Sequence, residues 1–195
     1  MSKLYVKHGT MGAGKTLDLL RVVHQYKENS KNVWVMKLSI SDRGEGATKI
    51  KSRLESVSTN AQPISDYESI KVLLDQRIKN NQKPDVIVID ESQFLSTKQV
   101  EELHDIAHLR NIPVLAYTLK TTFKREFFEG SKRLFELGDD FEEIIGLCWC
   151  GKRAKFNARV QDGRIVEEGS DVLVGDTMYI ALCPKHFSQG KIEGE

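Results

Sequence analysis

Three groups of residues have the types and spacing to do chemistry. Gly9-Thr10-Met11-Gly12-Ala13-Gly14-Lys15-Thr16 fills each fixed position of the G-x-x-x-x-G-K-[ST] phosphate loop. Its glycines let successive backbone N–H groups converge on phosphate oxygens. Lys15 is expected to reach the β- and γ-phosphates of a nucleoside triphosphate, and the Thr16 hydroxyl to sit on Mg²⁺. Asp90-Glu91 closes a hydrophobic run. An acid at that point holds Mg²⁺ through water, and Glu91 can act as general base for an incoming hydroxyl or water. The same carboxylates would also suit the N-cap of a following helix. Cys148-x-Cys150 with Cys183-x-x-His186 offers three thiolates and an imidazole, the closed ligand set of a structural Zn²⁺. Its C-x-C spacing is tighter than usual, and unrelated buried thiols are the plainer alternative. His104 and His108 stand one helical turn apart without a second pair and read as a solvated helix face.

Elements must position these groups. Leu4–His8 reads as a strand entering the phosphate loop and Leu17–Val23 as the helix leaving it. Asn32–Leu38, Asp85–Asp90 and Pro113–Tyr117 read as further strands, the second a continuous β-branched run of the kind covered on both faces. Helical stripes fall at Ile70, Leu73, Leu74 and Ile78, and at Val100, Leu103, Ile106, Ala107 and Leu109. This alternation predicts an α/β fold: a phosphate-loop core with a parallel sheet over residues 1–145. Ser39–Thr59, polar with Gly44 and Gly46, reads as a mobile loop. From about residue 146 the helical period fades and all three cysteines appear, which predicts a small zinc-binding lobe over 146–187 and a disordered tail over 188–195. A lobe of that size needs a staple.

Composition narrows the function. Lys and Arg number 29 against 28 Asp and Glu, so no bulk charge draws the chain to nucleic acid or a membrane surface. No apolar run is long enough to span a bilayer. The phosphate loop follows the N-terminus so closely that no secretory signal is expected, and the odd, low cysteine count fits a reducing cytoplasm.

The order of motifs resembles the cytosolic and bacterial type of thymidine kinase across about residues 3–187. The specific matches are Asp90-Glu91-Ser92-Gln93-Phe94, Phe123-Lys124-Arg125-Glu126-Phe127-Phe128 with Gly130-Ser131, and Cys148-Trp149-Cys150-Gly151 with Cys183-Pro184-Lys185-His186. The resemblance implies a RecA-like core, a zinc-bound lobe, a homotetramer, and ATP–Mg-dependent phosphorylation of thymidine, with deoxyuridine, at the 5′-hydroxyl in deoxynucleotide salvage. It implies Glu91 as the base and Asp90 with Thr16 on magnesium. Residues 9–16, Asp90, Glu91 and Gln93 would form the ATP site. Met11, Phe94, Leu119, Phe123, Arg125 and Tyr179 would surround the nucleoside, whose base would be gripped by backbone groups of a lasso-like loop, Glu167–Tyr179, with Gly175. The chain departs from the family pattern at Ser41, where an acid is usual, and at Thr118, where many bacterial members have glycine. Phe123, Phe127 and Phe128 are costly to expose together, so their segment is expected to be packed. Two other readings stand beside a thymidine kinase: a nucleoside kinase of different base preference, and a phosphate-loop ATPase coupled to nucleic acid or a partner.

Overall fold

A computed structural model describes residues 2–38, 48–52, 57–169 and 178–194. Six parallel strands form the main sheet: β1 (Leu4–His8), β2 (Val33–Leu38), β5 (Gln62–Ile64), β6 (Val86–Asp90), β7 (Val114–Thr118) and β8 (Asp140–Glu143), in the order β5-β2-β6-β7-β1-β8. Helices α2 (Ile70–Lys79), α3 (Thr97–Leu109) and α4 (Glu129–Leu137) cover one face. Helix α1 (Lys15–Glu28) covers the other with a hairpin of β3 (Lys49–Lys51) and β4 (Ser58–Asn60). Strand β6 shows why its run is apolar throughout: Ile87 and Ile89 enter the first layer while Val86 and Val88 enter the second.

The hairpin corrects the expectation of a mobile loop over 39–59. Ile50 is 1 % exposed because it packs under α1, and burying such a side chain favours order by about 1.5–3 kcal/mol. Gly44, Gly46 and Ser41 lie outside the described residues. Leu109 does not belong to the buried stripe of α3; it is 77 % exposed, at the last turn of the helix.

The second lobe is a three-stranded antiparallel sheet, β9 (Phe156–Gln161) between β10 (Arg164–Val166) and β11 (Met178–Leu182), followed by the short helix α5 (Pro184–Ser188). Residues 189–194 follow α5 and run back to Trp149, whose indole N–H donates to the Lys191 carbonyl at 3.4 Å.

Candidate active site and metal centre

The phosphate loop leaves the carboxyl end of β1, the edge of a parallel sheet where ligands gather. A Cβ on Gly9 would lie 2.4 Å from the Ile144 carbonyl oxygen, so the segment following β8 presses directly on the loop. Gly14 turns the loop into α1 at φ 95°, a conformation that costs an L-residue about 1–2 kcal/mol. Lys15 Nζ donates to the carbonyls of Gly9 (3.2 Å) and Thr10 (2.9 Å). Burial pushes its ammonium down in pKa, and the carboxylates of Glu91 and Asp90 oppose that shift. The cation and both acids therefore share one electrostatic environment.

Asp90 ends β6 and is 5 % exposed. Burial, then the neighbouring charge of Glu91, pushes its carboxyl up to about 7, against the hydrogen bond it accepts from the Glu91 N–H and the attraction of Lys15. A carboxylate that is costly to ionise alone is suited to a cation. Glu91 takes φ 54°, a left-handed conformation that costs a non-glycine residue about 1–3 kcal/mol and clusters at functional sites.

A hydrogen-bond chain fixes this carboxylate. The Gln93 amide donates to Glu91 and its oxygen accepts the Leu119 N–H at 3.1 Å. The Leu119 carbonyl accepts the Ser131 hydroxyl at 2.5 Å, and that hydroxyl lies 2.9 Å from the Thr118 hydroxyl. Thr118 is fully buried, so its departure from glycine has a structural reason: it gains Ser131 as a polar partner. The chain is short because α4 approaches closely. A Cβ on Gly130 would lie 2.6 Å from the carbonyl oxygens of Ser92 and Leu95.

Other singled-out residues gather at the boundary of the lobes. Met11 donates its backbone N–H to Asn157 Oδ1 at 2.8 Å, which ties the phosphate loop to β9. Phe123 is buried beneath the Arg159 guanidinium, 3.6 Å from ring centre to Cζ, and Arg159 donates to the Tyr179 hydroxyl from Nε (3.1 Å) and Nη2 (3.0 Å). Phe94 meets Phe128 edge-on at 5.6 Å. Arg125 engages the second lobe, 3.3 Å from Glu167 and over the Phe187 ring. Phe127, expected to be packed with its neighbours, is 45 % exposed; one side of its ring rests on Phe135. Gly175 lies outside the described residues, as does the lasso from 170 to 177.

A cavity of about 400 Å³ opens between loop and lobe, lined by His8, Gly9, Thr10, Lys120, Arg125 and Asn157 among others. Burial, then the charges of Lys120 and Lys155, lowers the pKa of His8 to about 4, so it is neutral at physiological pH.

The ligand atoms of Cys148, Cys150, Cys183 and His186 all lie within 4.8 Å of one another. Cys148 Sγ and Cys183 Sγ are 3.4 and 3.5 Å from His186 Nδ1, and Cys150 Sγ is 3.9 Å from Cys183 Sγ. Tetrahedral zinc, with bonds of about 2.3 Å to sulfur and 2.0–2.1 Å to nitrogen, requires sulfur–sulfur separations of about 3.8 Å and sulfur–nitrogen separations of about 3.5 Å. The donors fit that ion. Burial opposes ionisation of Cys148, but hydrogen bonds from the backbone at Cys150 and Cys183 and from His186 bring its thiol down to about 6, towards the thiolate a metal needs. Trp149 stacks on the His186 ring at 4.1 Å and holds its orientation.

The thymidine kinase family model matches residues 2–187. The chain is 35% identical to a thymidine kinase of Francisella tularensis over 99% of this chain and all of the relative. It is 38% identical to one of Streptococcus pyogenes over 98% of this chain, and 37% identical to one of Lactococcus lactis over 98%, each covering the whole relative. The chain belongs to the thymidine kinase family. A DnaB-like replicative helicase, 13% identical with a TM-score of 0.49 over 72% of this chain and 46% of its own, is too remote a likeness to bear on function.

Membership of the thymidine kinase family does not by itself explain two polar residues absent from the sequence reading, Asn157 and Arg159. Both point to one side of β9 and are 5 % and 2 % exposed. The signal was available: in Phe156-Asn157-Ala158-Arg159-Val160 polar residues alternate within an otherwise apolar strand, and a buried cation needs a reason.

Proposed function

We propose that this chain transfers the γ-phosphoryl group of ATP to the 5′-hydroxyl of thymidine, giving dTMP and ADP, with deoxyuridine as a second substrate, in deoxynucleotide salvage. The observation that carries the reading is the shared setting of Lys15, Asp90 and Glu91 at one sheet edge, in a chain matching the thymidine kinase family from residue 2 to 187. In this scheme the backbone amides of residues 9–16 cradle the phosphates, and Lys15 exchanges its loop carbonyls for phosphate oxygens. Thr16 and Asp90 would hold the Mg²⁺ that accompanies ATP, which would supply charge neutralisation for the transferring group. Glu91, held by Gln93, takes the proton of the 5′-hydroxyl as that oxygen attacks phosphorus. Gln93 thus serves the ATP side of the site indirectly, by fixing the base.

On the nucleoside side, Met11, Phe94, Leu119, Phe123 and Tyr179 form the walls, with Arg125 and the loop of Gly175 completing them. Zinc on Cys148, Cys150, Cys183 and His186 would be structural, since four protein ligands leave no open position. We assign residues 1–145 to the ATP-binding region and 146–187 to the zinc lobe. A cytoplasmic setting agrees with three cysteines that form no disulfide. No helix among the described residues is long and apolar enough to cross a membrane. The exposed Phe141, Ile145 and Leu147 along and beyond the edge strand β8 support self-association, which we read as a homotetramer.

The test is a panel of natural nucleosides with ATP and Mg²⁺, read as 5′-monophosphate formed. Thymidine and deoxyuridine should be converted, their difference of one methyl worth about 1–3 kcal/mol. Deoxycytidine, which reverses the donor–acceptor pattern, and purines should be poor. Efficient conversion of deoxycytidine or deoxyguanosine instead would refute the assignment.

A further inference from the structure

We propose that Arg159 is a positioning residue for nucleoside recognition: it makes the Tyr179 hydroxyl a hydrogen-bond donor toward a base carbonyl and fixes Phe123 across the boundary between the lobes. The inference deepens the thymidine kinase reading and rests on it.

The argument begins with register. In the antiparallel pair of β9 and β11, Tyr179 stands directly opposite Arg159, so both side chains rise from one face. A phenol oxygen has two acceptor lone pairs and one proton. Arg159 Nε and Nη2 both donate to that oxygen, at 3.1 and 3.0 Å, as a two-pronged contact from one side. A guanidinium cannot accept, so the phenol proton must go elsewhere. Among the described residues nothing accepts it, and Tyr179 is only partly buried. The hydroxyl proton is thereby turned away from Arg159 and available for donation, which the cation behind it strengthens.

The same guanidinium lies flat on Phe123, and its Nη1 lies 3.2 Å from where a Cβ on Gly169 would stand. One buried cation therefore touches the segment after β7 and the partner strand β11, and lies beside Gly169. A methionine of similar volume would pack the sheet face without the desolvation cost of a charge. The cation is retained for what it orients. The ligand such a donor selects is a planar base with an exposed carbonyl acceptor, here a pyrimidine-2,4-dione.

The test uses the full-length zinc-loaded protein and compares thymidine with 2-thiothymidine and 4-thiothymidine, because sulfur accepts hydrogen bonds poorly. The wild type should disfavour one thio analogue by about fivefold or more in kcat/KM. Arg159→Met and Tyr179→Phe should each raise the thymidine KM by about tenfold and leave the ATP KM within about threefold. Each should also abolish the discrimination, and the double variant should be no worse than Arg159→Met alone. Zinc content should stay at that of the wild type. A folded Arg159→Met with wild-type thymidine KM, intact discrimination, or losses that add to those of Tyr179→Phe would overturn the proposal. Should Arg159→Met fail to fold, Tyr179→Phe decides: unchanged KM and discrimination overturn it. A wild type inactive on thymidine overturns the functional reading as well, whereas an active wild type with indifferent variants overturns the role of Arg159 alone.

Discussion

Strand β6 in the core and strand β9 in the second lobe are each the middle of a sheet, but they are held differently. β6 is buried along its whole length, its side chains alternating into two apolar layers, and it delivers Asp90 and Glu91 at its end. Among the described residues β9 sits in a smaller cluster, Ala158, Leu182 and Phe187 around Cys148 and Cys183, with the partly buried Phe156, Ile165 and Ile180 against it. It also carries the polar Asn157 and Arg159. A core stabilised by area needs nothing bound in order to fold; a lobe this small, with a Cys₃His set that could hold zinc, is expected to depend on that metal. The difference predicts that ATP-side and nucleoside-side functions can be damaged separately.

The largest effect should come from Lys15→Ala. Its ammonium is held by loop carbonyls rather than by core contacts, so the variant should fold and keep its zinc. Turnover at saturating ATP should nearly vanish, because the charge following the β/γ-phosphates stabilises the transition state. Circular dichroism and a single-turnover assay check both halves.

Glu91→Gln should lower kcat by about 10²–10⁴-fold, the usual worth of a general base, with ATP and thymidine binding within a few-fold of the wild type. Loss of binding in parallel with rate would mean that Glu91 holds substrate rather than a proton.

Zinc removal sharpens the contrast. Cys183→Ser, or chelation, should unfold the second lobe and weaken thymidine binding, while the core keeps its melting transition and its affinity for ATP. Calorimetric titration of each substrate separates these outcomes. Protein that never held zinc yet binds thymidine normally would erase the distinction between the regions.

Asp90 adds a pH signature in protein free of Mg²⁺ and ATP. Its folded pKa is raised, to about 7 from 3.8, so the native state binds the extra proton between those values. This group's contribution to stability therefore falls as pH rises from about 4 to about 7. Relative to Asp90→Asn, the wild type should lose stability over that window in urea melts, and Mg²⁺ with ATP should restore it.

The smallest effect should be Thr118→Val. Removing the hydroxyl that meets Ser131 should cost about 1–2 kcal/mol in denaturant melts, with a change in kcat of a few-fold at most.

The core was legible because its signals are local. A β-branched run, a fixed loop spacing and two amphipathic stripes each name their own element, and β1, β2, β6 and β7 fall where those signals lie. Misreadings arose where tertiary contact overrides composition. The polar 39–59 stretch still contributes a hairpin, because Ile50 has α1 to pack beneath. Leu109 fits a helical period but occupies the terminal turn of α3 and is exposed there. Arg159 was missed for a related reason. Its role comes from Phe123 and Tyr179, distant in sequence, and no spacing rule links the three.

The most direct measurement counts ADP and dTMP in the same reaction, with and without thymidine, and with DNA or RNA added separately. A site in which Glu91 serves a nucleoside hydroxyl should release ADP only when thymidine is present, one ADP for each dTMP, with no stimulation by nucleic acid. Steady ADP release without nucleoside, accelerated by DNA or RNA, would contradict the account and make the chain a coupled ATPase.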